Sequence, residues 1–222
     1  MNIVPDLGEH FLAVGETQEG KTYLTAGLLN KFSETYPVVV FDTKGDKAFD
    51  PWVDSDDWDV IRARMAESAR FPRSVYRPVG YDLEAKAMDA KLYEIYDSGF
   101  QGAVLINELE HVAPNSVALP GLRYCLISGS RRRRTAPDGS RYTVRLGLWM
   151  EAHRPKFIPN YCKSEPKSYA VFGLADQDLE TMRPFMRDAP LTRPAPRWFY
   201  YYRKGMDAPR LIPPVHARGV TD

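Results

Sequence analysis

The residues with the clearest capacity for chemistry lie in the segment HFLAVGETQEGKT, which spans positions 10–22. Gly15 and Gly20 are separated by four residues, and Lys21 and Thr22 follow directly. Glycine permits a sharp turn whose backbone N–H groups point at an anion, at the positive end of the next helix. The ammonium then reaches the β- and γ-phosphates of a nucleotide, and the hydroxyl ligates Mg²⁺. The spacing G-x-x-x-x-G-K-T is the phosphate-binding P-loop, or Walker A, pattern, which predicts a site for ATP and Mg²⁺.

The elements around this motif have the order that such a loop requires. An apolar run at positions 11–14 predicts a buried strand before the loop. Positions 20–35 predict a helix, because Leu24, Leu28 and Phe32 recur at intervals of four. The residues expected to contact the nucleotide are Gly15, Glu16, Thr17, Gln18, Glu19, Gly20, Lys21, Thr22 and Tyr23.

A second apolar run, at positions 103–106, ends at Asn107 and Glu108. P-loop ATPases have a buried strand that ends in an acidic pair, the Walker B motif. Here Glu108 is the candidate general base for water attack, and Asn107 can accept a bond from a metal-bound water without contributing charge. The predicted metal-site residues are therefore Thr22, Asn107 and Glu108, and we expect Asn107→Asp to keep or raise activity. The alternative is a strand that merely ends in two polar residues.

The rest of the chain predicts an α/β fold with a mostly parallel, twisted sheet and helices on both faces. Further strands are predicted at 37–42, 59–61, 74–78, 145–150, 169–172 and 197–202. Further helices are predicted at 62–70, at 82–96 with Asp82 as the N-cap, from Pro120 onward, and at 176–186. A hairpin is predicted around 137–139. We expect one domain over residues 1–222, with a core at about 8–186 and a loop-rich segment at 187–222.

Composition limits the possible functions. The chain has 222 residues, 44% of them hydrophobic, and a formal net charge of +1, so any binding to nucleic acid must be local. No apolar run reaches the length of a membrane span, and the N-terminus lacks the layout of a signal peptide. We therefore expect a soluble, non-secreted protein that does not insert into a membrane. The two cysteines and four histidines show no metal-ligand spacing.

Together, the motifs resemble the FtsK/HerA superfamily of DNA-translocating ATPases over about residues 8–186. The second strand ends in FDTKGD at 41–46, a later apolar strand ends in NE at 107–108, and a further strand runs into AHRPKFIP at 152–159. In that superfamily the second strand commonly ends in an Asp followed by a Lys-Gly pair, and a later strand ends in a polar residue followed by Arg-Pro. A compact chain without a membrane segment looks most like the genome-packaging ATPases of tailless, membrane-containing icosahedral DNA viruses.

The resemblance implies a RecA-like (ASCE) P-loop fold, a homo-oligomeric ring that is commonly a hexamer, and double-stranded DNA as the partner. It also implies capsid vertex proteins as possible partners, and a location in the host cytoplasm or the virion. His153 takes the polar sensor position that reads the γ-phosphate. An arginine finger, which acts on the nucleotide of a neighbouring subunit, is implied among Arg131, Arg132, Arg133 and Arg134.

Several alternatives remain open from the sequence. The arginine run could be a solvated surface loop, and His153 could be a structural residue. A nucleotide or small-molecule kinase would share the P-loop and could use the arginines as a lid, but it needs no Glu108. A nucleotide-gated assembly factor is a non-catalytic alternative, which the uncharged Asn107 makes conceivable.

Overall fold

The structure is a computed structural model, and it describes residues 3–66, 72–129, 132–136 and 138–214. These residues form one nine-stranded sheet in the order β11-β10-β9-β1-β8-β5-β2-β4-β3, and a separate hairpin, β6-β7. The strands are β1 (Phe11–Val14), β2 (Val38–Phe41), β3 (Val53–Ser55), β4 (Arg73–Tyr76), β5 (Gly102–Ile106), β6 (Arg133–Thr135), β7 (Arg141–Thr143), β8 (Leu146–Ala152), β9 (Ser168–Val171), β10 (Phe199–Arg203) and β11 (Arg210–Ile212). The run from β9 to β3 is parallel, whereas β10 and β11 each pair antiparallel.

Helices cover both faces of the sheet, and the sheet separates the hydrophobic core into two parts. The helices are α1 (Lys21–Phe32), α2 (Trp58–Met65), α3 (Ala85–Ser98), α4 (Leu109–Val112), α5 (Pro120–Ser128), α6 (Asn160–Ser164) and α7 (Asp176–Met182). Helix α1 packs on one face of the sheet, and α2, α3, α5 and α7 contribute to the core on the other. Successive residues of β1 alternate between the two, since Phe11 and Ala13 join the α1 core while Leu12 and Val14 join the other. Strands buried on both faces are near-continuous apolar runs, which explains the run at 11–14.

Helices α3 and α5 are joined by a buried carboxylate. Asp89 of α3 accepts hydrogen bonds from the backbone N–H groups of Gly121 (3.0 Å) and Leu122 (2.7 Å) in the first turn of α5. It thus satisfies two donors that have no partner within their own helix. A Cβ added at Gly121 would lie 2.2 Å from the Asp89 carbonyl oxygen, so the helices approach too closely for any side chain there.

Most of the predicted elements are confirmed, and the exceptions cluster where the pattern was weakest. The segment 59–61, predicted as a strand, is wrong: it lies in α2, and the strand here is β3. Asp57, whose carboxylate accepts from the Asp59 N–H at 2.8 Å, caps α2 and starts the helix earlier. Asp82 is not an N-cap, because it precedes α3 within a 3₁₀ turn and binds the Tyr76 hydroxyl and Lys91 instead.

Strand β8 extends to Ala152, two residues past the predicted end at Met150. Strand β10 confirms the strand predicted at 197–202, and β11, which was not predicted, pairs with it at one side of the sheet. Within the described ranges, no helix combines the length and the apolar character needed to cross a bilayer.

Candidate nucleotide site

The glycine-rich loop, residues 15–20, lies at the carboxyl edge of the parallel strands, between the ends of β8 and β9. The Gly15 N–H donates to the Ala152 carbonyl (3.1 Å), and the Glu16 N–H donates to the Gly173 carbonyl (2.8 Å). A Cβ on Gly15 would lie 2.6 Å from the Phe172 Cβ, so glycine is required here by close approach and not by a left-handed turn. Gly20 has the positive φ, 99°, and caps the start of α1.

Lys21 begins α1 and its side chain is buried beneath this loop. Its ammonium donates to the carbonyl oxygens of Gly15 (2.6 Å) and Glu16 (2.9 Å), and lies 3.2 Å from Nδ1 of His153. Burial lowers the pKa of Lys21 to about 8. A buried ammonium group is thus held directly under the loop that the sequence predicts to bind phosphate.

Thr22 follows Lys21 and binds a carboxylate that the sequence analysis did not single out. Its hydroxyl donates to Oε2 of Glu151 at 2.7 Å, and Thr25, one turn later, donates to Oε1 of the same carboxylate. Glu151 lies in β8, directly beside Ala13 of β1, and is 2% exposed. Burial raises the pKa of Glu151 above its usual range, although both threonine hydroxyls oppose the rise.

Glu108 lies two residues after the end of β5 and is held by three neighbours. It forms an ion pair with Lys44, and its carboxylate lies 2.6 Å from Nε2 of His153 and 3.3 Å from Nδ1 of His111. Its backbone is in the left-handed region, with φ 54°, a strained conformation for glutamate that often marks a functional site. The structure therefore joins Glu108 and His153, which are far apart in the sequence, at one place.

His153 connects this carboxylate to the glycine-rich loop. Burial, helped by the ammonium groups of Lys21 and Lys44, lowers the pKa of His153 to about 4, so the ring is neutral at pH 7. With its proton on Nε2, the neutral ring donates to Glu108 while Nδ1 accepts from Lys21. The Lys44 ammonium also lies 3.0 Å from Nε2, beside the Glu108 carboxylate with which it pairs. A chain of hydrogen bonds thus runs from Lys21 through His153 to Glu108.

Asn107 is buried but faces a different set of groups. Its Oδ1 accepts from the N–H (2.9 Å) and the hydroxyl (3.2 Å) of Thr43, and its Nδ2 donates to Oδ1 of Asp42 at 2.6 Å. Asp42 also binds Arg77. Both ends of the Asn107 amide therefore bind residues at the end of β2 and in the loop that follows it. The amide makes these hydrogen bonds and none to Thr22.

A cleft of about 610 Å³ opens over the loop. One wall of the cleft is polar and lies toward β8 and β2; it is formed by Lys21, His153 and Lys44. The opposite wall lies toward β9 and β10 and is formed by Phe172 and Phe199, whose ring centroids are 4.9 Å apart. The other lining residues are Thr17, Gln18, Gly20, Thr22, Tyr23, Leu24, Asp46, Arg197 and Pro214. Its volume and its combination of polar and aromatic walls are typical of a small-molecule site.

The two acidic residues of the loop face the C-terminal segment. Arg193 donates to Glu16 at 2.7 Å and to Glu19 at 3.2 Å, and the Arg197 N–H also donates to Glu19. These contacts neutralise carboxylates that would otherwise repel an anion in the loop.

The arginine run lies at the amino-terminal ends of the parallel strands, opposite the glycine-rich loop, because the Arg132 carbonyl accepts from the Val144 N–H two residues before β8 begins. Arg132 and Arg134 both pair with Asp97, at 3.1 and 3.4 Å, and Arg132 also stacks over Tyr96. Arg133 is exposed, and Arg131 lies outside the described residues. No described member of the run lines the chain's own cleft.

Two residues of the site escaped the sequence analysis for identifiable reasons. Glu151 was missed because the predicted strand ended at Met150, although a single carboxylate within an apolar strand is itself a signal that it has a buried partner. Asp42 lay in the quoted FDTKGD motif, but its contact with Asn107 depends on the pairing of β2 with β5. Within residues 3–66, 72–129, 132–136 and 138–214, no cluster of three or more His, Cys, Asp or Glu has metal-site geometry.

Comparison with known proteins gives structural matches only, since no family model and no curated protein sequence matches the chain. The genome-packaging NTPase B204 of Sulfolobus turreted icosahedral virus 2, solved with sulfate, superposes with a TM-score of 0.69 at 12% identity, covering 96% of this chain and 99% of its own. VirB4 of Thermoanaerobacter pseudethanolicus gives 0.62 at 9% identity, with 94% and 90% covered. The pCW3 conjugation coupling protein TcpA gives 0.53 at 16% identity, with 92% and 59% covered. The chain therefore has the RecA-like P-loop fold that B204, VirB4 and TcpA share.

Proposed function

We propose that the chain is an ATP hydrolase that uses the reaction to move double-stranded DNA, in packaging a viral genome into a preformed capsid. The observation that carries the proposal is the hydrogen-bonded chain Lys21–His153–Glu108 beside the glycine-rich loop. It joins a cation suited to the β- and γ-phosphates to a carboxylate suited to accept a proton from water.

Each residue of that chain has a distinct task in this proposal. Lys21 binds the β- and γ-phosphates, and Glu108 accepts the proton of the attacking water, an effect worth about 10²- to 10⁴-fold. His153 orients Glu108 by a hydrogen bond, and it couples the position of Glu108 to the presence of the γ-phosphate. Lys44 forms an ion pair with Glu108 and holds the carboxylate in place.

The site also fits a nucleotide-bound Mg²⁺, on the chemistry of its donors. The Thr22 hydroxyl lines the cleft next to Lys21, and a buried carboxylate lies directly behind it. Mg²⁺ binds through one or two protein oxygens, nucleotide phosphates and water, so a cage of three carboxylates is not needed. When bound, the cation would neutralise charge that develops between the β- and γ-phosphates.

Support for the nucleotide and the DNA comes from B204, which was solved with AMP, ATP-γS and AMPPCP and is described as a genome-packaging NTPase. An exposed basic surface of this chain suits the DNA phosphates. Arg141 and Arg145 are exposed in and beside the β6-β7 hairpin, and phosphate contacts of this kind need no sequence readout. We further propose a ring, commonly a hexamer in ATPases of this type, in which Arg133 reaches a neighbour's nucleotide.

DNA translocation separates this function from that of a kinase. A third strand bound in the major groove of a duplex is displaced by a motor that moves along the duplex, and we expect the purified protein to displace it only with ATP and Mg²⁺. Lys21→Ala is the matched inactive variant. Transfer of phosphate to a small-molecule acceptor, with no displacement of the third strand, would contradict the proposal.

A further inference from the structure

Glu151 is the strongest unexplained feature of the site. It is an ionisable side chain in the middle of a nine-stranded sheet, 2% exposed, in a strand whose other residues are apolar or glycine. A buried carboxylate is costly unless its oxygens are satisfied, and here the hydroxyls of Thr22 and Thr25 satisfy one oxygen each. A role limited to packing would be filled at lower cost by an apolar residue.

The direction of the hydrogen bond between Thr22 and Glu151 affects how well the Thr22 oxygen can bind a cation. The Thr22 hydroxyl donates its proton to Oε2 of Glu151 at 2.7 Å, so the lone pairs of Thr22 point away from that carboxylate. A hydroxyl whose proton is fixed in this way is a better ligand for a cation, because partial negative charge accumulates on its oxygen. Outer residues that orient a metal ligand commonly change metal affinity 10- to 100-fold.

The residue expected to serve the metal site, Asn107, cannot supply this charge. It is a neutral amide, and its two ends are engaged by Thr43 and Asp42. Placing Asp at 107 would bring two carboxylates to the 2.6 Å that now separates the Asn107 and Asp42 atoms. Because that contact would become repulsive, we expect Asn107→Asp to lower activity and not to preserve it.

We propose that Glu151, acting through Thr22, is the carboxylate of the magnesium site and replaces the negative charge that Asn107 lacks. Glu151 is a positioning residue: it fixes the Thr22 proton and directs the Thr22 oxygen at a nucleotide-bound Mg²⁺. This inference rests on the proposed binding of ATP with Mg²⁺, and it does not depend on DNA or on hydrolysis.

The test measures the affinity of a fluorescent ATP-γS derivative twice, in EDTA and in Mg²⁺. The ratio of the two dissociation constants reports how strongly the protein couples metal to nucleotide. For Glu151→Gln, which keeps the shape of the side chain, we expect the ratio to fall about 10-fold or more, with binding in EDTA unchanged or tighter. In a Thr22→Val background the same change should have little further effect, because both residues act through one contact.

Asn107→Ala is the comparison variant, and it keeps the test decisive if Glu151→Gln does not fold. We expect it to retain the wild-type ratio within about twofold. The inference is overturned if Asn107→Ala loses the metal dependence, if Glu151→Gln keeps it, or if Glu151→Gln weakens binding equally in EDTA and Mg²⁺. Wild-type protein that binds no nucleotide under either condition would instead refute the proposed function.

Discussion

Glu108 is the residue on which hydrolysis depends in this account, and its environment makes it separable from nucleotide binding. It reaches the glycine-rich loop through His153, whose Nδ1 lies 3.5 Å from the Thr17 hydroxyl of the loop. Glu108→Gln removes the base and keeps the shape, so we expect nucleotide affinity within about threefold of wild type and turnover lowered about 10²- to 10⁴-fold. Single-turnover hydrolysis and equilibrium binding measure the two effects.

Glu110 provides a matched control for that substitution. It lies two residues away, in the short helix α4 that begins directly after Glu108, and its carboxylate accepts from the Arg154 N–H. Glu110→Gln should leave turnover within a factor of a few of wild type. If Glu110→Gln is the damaging change and Glu108→Gln is not, the general base has been assigned to the wrong carboxylate.

At this scale the sequence predicted the residues that lie in contiguous motifs, but not those that act through strand pairing. Lys21, Thr22 and Glu108 follow from local spacing, and the structure brings them to one edge of the sheet. Glu151 could not be found in that way, because its partner Thr22 is 129 positions distant and becomes a neighbour only when β8 pairs with β1. The hydrogen-bond partners of the Asn107 amide could not be predicted either, since they depend on the turn after β2.

Among the elements, the contact between α3 and α5 offers a sharp test of packing. Gly121→Ala would place a Cβ 2.2 Å from the Asp89 carbonyl oxygen, so the helices must separate or the cap must break. We expect a loss of about 1–3 kcal/mol in the free energy of unfolding. Chemical denaturation monitored by circular dichroism measures it.

Gly27→Ala is the control for this substitution, because it makes the same change in an exposed position of α1. Nothing lies within 4 Å of a Cβ there, and alanine favours a helix interior by about 0.5–1 kcal/mol. We expect Gly27→Ala to be neutral or stabilising. Equal destabilisation by both substitutions would show that the α3–α5 contact has no special importance.

Elements with a strong apolar period were predicted well, and those with mixed composition were not. The buried runs of β1, β2 and β5 admit only one interpretation, because each is apolar over its whole length. The acidic segment before Trp58 carries no such pattern, and the cap at Asp57 decided the start of α2 there. Antiparallel β11 was missed because Arg210–Ile212 is too short for its period to be read.

For the whole molecule, the position of the arginine run predicts a shared active site. Arg132 and Arg134 are held by Asp97, which leaves Arg133 as the exposed described candidate for an arginine finger. Since the run lies at the sheet edge opposite the glycine-rich loop, Arg133 can serve only a neighbour's nucleotide. Mixing Arg133→Ala subunits with Lys21→Ala subunits should therefore restore part of the ATPase activity, because fingers of this kind contribute about 10³- to 10⁵-fold.

A third variant controls for non-specific effects of removing an exposed arginine from the β6-β7 hairpin. Arg141→Ala, an exposed change in the same hairpin, should behave as wild type in the absence of DNA. Mixed subunits that stay inactive, together with a specific activity independent of protein concentration, would contradict a shared site.

The central claim is tested most directly by the rate of ATP hydrolysis, measured with and without double-stranded DNA in the same preparation. We expect wild-type protein to hydrolyse ATP in Mg²⁺ and to do so faster when duplex DNA of arbitrary sequence is added, with the stimulation falling as salt rises. Lys21→Ala should show no turnover in either condition while keeping its fold. Turnover that DNA leaves unchanged, or that survives in Lys21→Ala, would contradict the account.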